Sequence, residues 1–269
     1  MPEISIIAGA YNIGACSSFD KSITSMLDQT FSDFEFILCD DGSTDNTWDL
    51  LTAYAEKDPR IVLIRNEKNL GLAASLNKCL EIAKGDFIAR HDCDDYCDLT
   101  RLEKQLAYMK EHTDISILGT QSYLFDENGV WGKVAFPLEI KNKDFLFTSP
   151  YRHGSVMFRR EALIQAGGYR VCKQTYRCED YDLFMHMQTF CKGATLDEYL
   201  YYFCEDKNAR KRRKYRYRID EARVRWRGFK KLGILFPKGI FYVIKPLIVG
   251  LIPSFILEKA KDKHYDRTL

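Results

Sequence analysis

The 269-residue sequence predicts an α/β fold with a mostly parallel central sheet flanked by helices. Three observations carry that expectation. From residue 4 to residue 90, short apolar segments alternate with helical stretches, the pattern of parallel strands joined by right-handed crossovers. The segment ISIIA (4–8) is a short, almost wholly apolar run, as expected of a strand buried on both faces, and FEFILC (34–39) is a second strand-like stretch. Polar clusters follow three of the strands directly, at Tyr11-Asn12, Asp40-Asp41 and Asp92 to Asp95. Ligands of such sheets sit beyond the carboxyl ends of the strands, so these clusters are expected to converge on one edge.

Taken in order, Ile4 to Ala8 is the first strand, ending in the loop Gly9-Ala10-Tyr11-Asn12. A helix follows from Asp20 to about Gln29, with Ile23, Met26 and Leu27 on one face. The second strand, Phe34 to Cys39, stops at Asp40-Asp41-Gly42-Ser43-Thr44-Asp45, a turn that also offers a helix N-cap. The next helix runs to about Glu56, and Ile61 to Ile64 is the third strand. Asn69-Leu70-Gly71 opens a helix that ends at Lys84-Gly85, a C-terminal glycine signal. Phe87 to Arg90 is the fourth strand. Beyond it the pattern gives a helix over 99–112, a strand over 115–125, a turn at 126–129, a short strand within 153–160, a helix to Ala166, and an amphipathic helix after Cys178. Between the turn and Pro150 the signal is weak.

Charge is unevenly spread. Residues 1–206 carry 21 basic and 33 acidic side chains, whereas 207–269 carry 19 basic and 5 acidic. An acidic body with a basic tail points to an anionic partner surface, membrane or nucleic acid. The nine cysteines follow no repeating pattern and lack the paired spacing of a zinc site, and no secretory signal precedes the first strand. Reduced thiols in a cytoplasmic protein are expected.

The stretch Phe87 to Asp98, FIARHDCDDYCD, carries the densest chemistry. Close carboxylates repel and resist burial unless a positive partner is near, and the simplest such partner is a hard divalent cation, Mg²⁺ or Mn²⁺. At a strand end Asp92 and Asp94 would point the same way. One could then face a metal and the other a sugar hydroxyl; a loop of acidic caps ahead of the next helix accounts for the same residues. Arg90 and Arg101 flank the cluster, to neutralise it or to touch phosphate. Glu179, Asp180 and Asp182 open a helix, where acids also suit the positive end of the helix dipole. Neither a GxGxxG nor a GxxxxGK[ST] motif is present, so no dinucleotide or P-loop reading is supported.

The ordered set IIAGAYN, FILCDDGSTDNT, RNEKNLGLAASLNKCLEIAKGDFIARHDCDD, RHGSVMFRREALIQAGGY and EDYDLFMHM resembles the family-2 glycosyltransferases, inverting enzymes of the GT-A fold that use nucleotide-sugar donors. The resemblance covers roughly residues 4–200. It implies that Asp41 accepts a hydrogen bond from the nucleotide base, with Ala8, Tyr11 and Asn12 lining the same pocket. Asp92 would serve the donor ribose and phosphate side, Asp94 would be the metal ligand of a DxD motif, and His153 would stand at the donor site. Asp180, in the Glu179-Asp180 pair, would be the general base. The implied reaction moves one hexosyl or N-acetylhexosaminyl group from a UDP-linked donor to a glycan or lipid-linked acceptor, with a divalent metal (Mn²⁺ or Mg²⁺), in surface polysaccharide or lipopolysaccharide synthesis. No QxxRW follows the acidic pair, since Arg225-Trp226 lies too far downstream and lacks the Gln, so a processive polymerase is not expected.

On this reading residues 1–206 are the GT-A catalytic domain and 207–269 a basic and amphipathic helical tail. Lys207 to Arg218 has eight basic residues in twelve, and the apolar stretch Leu232 to Leu257 is interrupted by Pro237, Lys238, Lys245, Pro246 and Pro253. A spanning helix needs about 20 unbroken apolar residues. The tail therefore reads as interfacial helices on an anionic membrane, placing the protein peripherally on the cytoplasmic face of the inner membrane, or as a basic cap on the catalytic domain. Two other classes compete. A sugar-phosphate nucleotidyltransferase would carry a Gly-rich basic loop after the first strand, which Gly9-Ala10-Tyr11-Asn12 is not. A nucleic-acid-binding protein would use the basic tail but leave the acidic strand ends unexplained, and no nucleic-acid partner is expected.

Overall fold

A computed structural model describes residues 1–205 and 215–251. The boundary expected at 206/207, most of the basic run from Lys207 and the end of the apolar stretch at Leu257 lie outside the described residues. Along the chain β1 (Ile4–Ala10), α1 (Phe19–Leu27), β2 (Phe34–Asp40), α2 (Thr47–Ala55), β3 (Ile61–Arg65), α3 (Leu72–Ile82) and β4 (Phe87–Arg90) reproduce the expected alternation. These four strands are parallel and lie in the order β3-β2-β1-β4.

β1 explains why its sequence shows no polar alternation. Ile4, Ile6 and Ala8 face one apolar cluster with Phe19, Ile23 and Met26 of α1, whereas Ile7 faces another with Leu76 and Cys79 of α3. Side chains alternate across the strand, and both faces are covered by helices.

After β4 come β5 (Tyr96–Cys97), α4 (Arg101–Glu111), β6 (Ile115–Asp126), β7 (Gly129–Val134), β8 (Met157–Arg159), α5 (Arg160–Gln165), α6 (Glu179–Met187), β9 (Lys192–Cys204), α7 (Tyr215–Lys231) and α8 (Ile240–Val249). The sheet continues from β4 through β8, β6 and β9 to β5, with β7 paired to β6. β8 runs antiparallel to both β4 and β6, and β9 parallel to β6. The half of the sheet built from alternating elements is thus parallel, and the second half is mixed. β5, β7 and β9 were not expected. β9 slips register against β6 at three places, which erases the period-two pattern that marks a strand.

α7 and α8 share the core with α6. Phe229, Leu232, Leu235 and Val243 join Leu183, Phe184 and Met187 in one cluster. Gly228 lets α7 approach α6 closely, since a Cβ there would lie 2.3 Å from Met185 Sδ. Buried Arg225 donates to the carbonyls of Leu146 at 2.8 Å and Phe147 at 3.1 Å.

Gly85 sits where the chain leaves α3 and passes β1. Its N–H donates to Ser5 Oγ at 2.8 Å, and a Cβ would fall 2.5 Å from Ser5 N and 2.7 Å from Ile4 C. Strand backbone yields less readily than a flexible side chain. Gly85→Ala is expected to cost about 1–3 kcal/mol of stability. Urea unfolding checks this as a lowered midpoint at unchanged slope.

Candidate active site

A cavity of about 540 Å³ opens beyond the carboxyl ends of β1 and β2. Gly9, Ala10, Tyr11, Asp41, Leu70, Gly71, Tyr176, Arg177, Glu179 and Arg216 are among the residues that line it. Asp41 Oδ1 accepts from Asn66 Nδ2 at 2.8 Å and Leu70 N at 2.8 Å, and Oδ2 from Gly71 N at 2.9 Å. Each carboxylate oxygen can accept two hydrogen bonds. Oδ2 therefore keeps capacity for a donor group in the cavity, while the other bonds fix the loop ahead of α3.

Asp40 is structural instead: it accepts from Ser43 N at 3.0 Å and pairs with Arg65 at 3.1 Å. Gly42 between them and Ser43 has φ +68°, and a Cβ there would meet the Lys68 backbone at 2.5 Å, so the turn requires glycine. Asn12, at φ +51°, clamps the first loop to the second. Its N–H donates to Ser43 Oγ at 3.0 Å, and its Oδ1 accepts from Thr44 N at 2.9 Å. Of the residues expected in this pocket, Tyr11 and Asp41 line it. Ala8 does not: it is wholly buried in the sheet one step below the rim, where Gly9 and Ala10 take its place.

The acidic loop after β4 divides its carboxylates among three environments. Asp92 Oδ1 accepts from Arg90 Nη2 at 2.5 Å, its N–H donates to Tyr201 Oη at 3.3 Å, and its carbonyl accepts from Ser22 Oγ at 3.1 Å. Asp95 is fully buried and accepts from Cys204 N at 2.7 Å; burial, with Asp94 and Asp92 nearby, pushes its pKa well above the carboxylate range. Asp94 is exposed, and its carbonyl accepts from Ser18 Oγ at 2.7 Å. Arg90 and Arg101, expected to neutralise the cluster or to touch phosphate, are both fully buried. Arg90 pairs with Asp92, and Arg101 Nη2 donates to the Arg90 carbonyl at 2.7 Å.

At the start of α6 the three acids also separate. Asp182 is an anchor, held by Arg170 at 2.9 and 3.0 Å and by Arg227 at 2.5 Å. Glu179 lines the cavity, and burial together with neighbouring Asp180 pushes its pKa up to about 7. Asp180 is raised chiefly by burial, with Asp92 adding to the rise and Arg90 opposing it. The pair on α6 and the ion pair after β4 thus lie close enough to feel each other. Arg177, just ahead, has φ +67°, a conformation uncommon for a non-glycine residue.

His153 Nε2 lies 2.8 Å from Tyr169 Oη, and burial with the Arg90 charge pushes its pKa well below the usual histidine value. The adjoining Gly154 packs so closely that a Cβ would fall 1.9 Å from Tyr201 Oη and 2.8 Å from Asp92 Oδ2. That contact sets the His153 turn beside Asp92. Among the described residues no group of three His, Cys, Asp or Glu side chains converges as a metal cage. A hard divalent cation held by one or two carboxylates and by substrate phosphates needs no such cage, and oxygen donors at Asp94 and Asp92 suit it. Sequence reasoning missed Tyr176, Arg177, Arg216 and Tyr201. The first three had no signal beyond their charge and aromaticity, and Tyr201 lies in the strand that went unseen.

The Glu179 shift has a definite sign. Its folded pKa of about 7 lies above the ordinary value of 4.5, so the fold favours the protonated acid. Its stabilising contribution is full below the ordinary value and is lost as pH rises through about 7. The wild type is expected to lose up to about 3 kcal/mol from this source between acid and mildly alkaline pH, and Glu179→Gln to lack that component, so that its stability falls less steeply over the same range. Urea unfolding of both proteins across that range tests it.

Comparison with known proteins bears directly on this arrangement. The profile of "Glycosyl transferase family 2" matches residues 5–175. The putative glycosyltransferase EpsE of Bacillus subtilis is 38% identical over 264 residues, which cover 97% of this chain and 94% of EpsE. A UDP-Glc:alpha-D-GlcNAc-diphosphoundecaprenol beta-1,3-glucosyltransferase of Escherichia coli, WfaP, is 41% identical over 110 residues, 41% of this chain and 42% of its own. Among solved structures, S. aureus TarS 1-349 in complex with UDP-GlcNAc superposes with a TM-score of 0.70 over 90% of this chain and 74% of its own, at 19% identity, and shares the GT-A fold. With a family profile spanning well over half its length and a full-length relative above 30% identity, the chain belongs to glycosyl transferase family 2.

Proposed function

We propose that the protein transfers one sugar from a UDP-linked nucleotide sugar to a hydroxyl of a glycan or lipid-linked acceptor, with inversion, in surface polysaccharide or lipopolysaccharide synthesis. The observation that carries this reading is the sharing of one cleft by distant acids. Asp41 and Glu179 line the same cavity, and the Glu179–Asp180 pair feels the Asp92–Arg90 ion pair. The UDP-GlcNAc of TarS and the lipid-diphosphate acceptor named for WfaP support the substrate classes.

Tyr11 and Asp41 would bind the base end of the donor, with Asp41 Oδ2 accepting from a base N–H. Asp92, fixed by Arg90 and Tyr201, would orient the ribose and diphosphate, with His153 beside it. Asp94, with Asp92 near, would hold Mg²⁺ or Mn²⁺, which when bound supplies Lewis-acid stabilisation of charge on the departing diphosphate. Asp180 would take the proton of the acceptor hydroxyl. Its burial raises proton affinity toward the working pH, which suits a general base. A single displacement opposite the leaving group needs no covalent sugar–enzyme intermediate. Peripheral attachment to the anionic cytoplasmic face of a membrane belongs to the same proposal. Among the described residues no helix is long and apolar enough to cross one.

Two substitutions separate the roles. Asp94→Ala should abolish donor turnover and flatten its dependence on added Mn²⁺, read as nucleoside diphosphate release across a metal titration. Asp180→Asn should retain donor binding by calorimetry yet lose transfer by roughly 10²–10⁴-fold, the usual contribution of a positioned base. Near-normal transfer by Asp180→Asn would remove the base assignment.

A further inference from the structure

α8 buries one face and leaves the other bare. Val243 and Pro246 are buried, whereas Phe241, Ile244, Ile248 and, just past the helix, Leu251 are 64, 44, 53 and 74% exposed. Steps of three and four residues put these side chains on one stripe. Isolated exposed apolar residues are ordinary, but a continuous stripe marks an interaction face.

Charge selects the occupant. Residues 215–251 carry nine basic and two acidic side chains. Both acids are already engaged, Asp220 by Arg216 and Arg223, and Glu221 by Arg218 and Arg225. A second copy docked on the stripe would bring two such cationic hairpins together, at a cost in like-charge repulsion. The chain's own residues 252–269, with four basic and three acidic side chains, could not neutralise the excess. An anionic lipid surface meets both needs, accepting the apolar stripe at the acyl boundary and the lysines and arginines at the head groups.

The stripe also ends next to the cleft. Tyr215 Oη donates to the Leu247 carbonyl at 3.4 Å, and Gly250 abuts Tyr215 and Arg218 so closely that a Cβ would lie 2.9 and 3.0 Å from them. The next residue, Arg216, lines the cavity, and the Tyr217 ring meets that of Tyr176, another lining residue, at 5.6 Å. We infer that the Phe241–Ile244–Ile248–Leu251 stripe seats in an anionic bilayer and holds the cavity mouth at the membrane surface, so that the acceptor is an amphiphile reached from the bilayer. The acceptor clause rests on the transferase reading; the surface deepens the peripheral attachment proposed with it and stands on the α8 stripe and its charge.

The test uses the full chain and vesicles of phosphatidylcholine with or without phosphatidylglycerol. The wild type should pellet with the anionic vesicles at low salt and be released at high salt. Ile244→Glu combined with Ile248→Glu should bind roughly tenfold less or weaker still, with an unchanged thermal midpoint. In a second variant, Ile248→Trp, emission should shift to the blue on adding anionic vesicles. Equal pelleting of the double variant and the wild type would overturn the proposal. So would a large loss of stability in the double variant, which would mean that the face is covered within the protein, or conversion of a wild-type dimer to monomer in sedimentation. Donor hydrolysis by the double variant, expected at the wild-type rate, is read separately, so a failure of the transferase reading stays distinct from a failure of the surface.

Discussion

The site is built around a guanidinium with no contact to water. Arg90 closes β4 fully buried, and its direct ion pair is with Asp92. A buried charge is sustained only when opposite charge surrounds it closely. Here that charge comes from Asp92 and, more distantly, from Glu179 and Asp180, whose titrations Arg90 opposes. The dependence runs both ways. Without the cation, the rise that burial gives the Glu179 and Asp180 carboxyls would lose one of its opposing influences. Arg101 supports the arrangement from below, donating to the Arg90 carbonyl and lying over the Tyr201 ring, whose hydroxyl accepts from Asp92 N.

Sheet register explains why that cation is buried while Asp41 reaches the cavity. β1 pairs with β2 through to Ala10 opposite Asp40, whereas its pairing with β4 ends at Ile7 opposite Arg90. Three residues of strand span roughly 10 Å. The acidic loop therefore leaves the sheet deeper than the Asp41 turn does. On the proposed reading, a donor held at the rim by Asp41 and Tyr11 would meet Asp92 and the α6 acids at its other end. Two strands neighbouring β1, one long and one short, thus end at different depths of the same sheet edge.

This geometry also marks what the sequence could convey. The four parallel strands were legible because each is a short apolar run punctuated by glycine or acid, and the loops that bear the chemistry follow from strand ends. Ala8 was misplaced for a related reason. In a strand buried on both faces nearly every side chain is apolar, so the pattern says nothing about which residue reaches the rim. The pairing of Asp92 with Tyr201 spans 109 residues and depends on β9, whose register slips hide it. Likewise the cavity wall at Arg216 comes from a helix whose basic composition placed no particular residue at the site. Long-range partners of this kind leave no local trace.

The tail makes the same point for a whole element. Its composition allowed two readings, a basic cap on the body or an interfacial anchor, and these compete only if a helix has one face. α7 buries Phe229 and fits Gly228 against Met185, and α8 buries Val243, all within the core that carries α6. The outward stripe of α8 is no less apolar than the inward one. A helix that merely capped the domain would gain nothing from Phe241 or Ile248 in water, since each exposed large apolar side chain forgoes about 1.5–3 kcal/mol of burial. A tail that merely anchored would not need Arg225 of α7 threaded to the carbonyls of Leu146 and Phe147. Both features are present: α8 packs on α7, α7 packs on the acid-bearing helix, and whatever covers the outer face of α8 is tied through α7 to the chemistry.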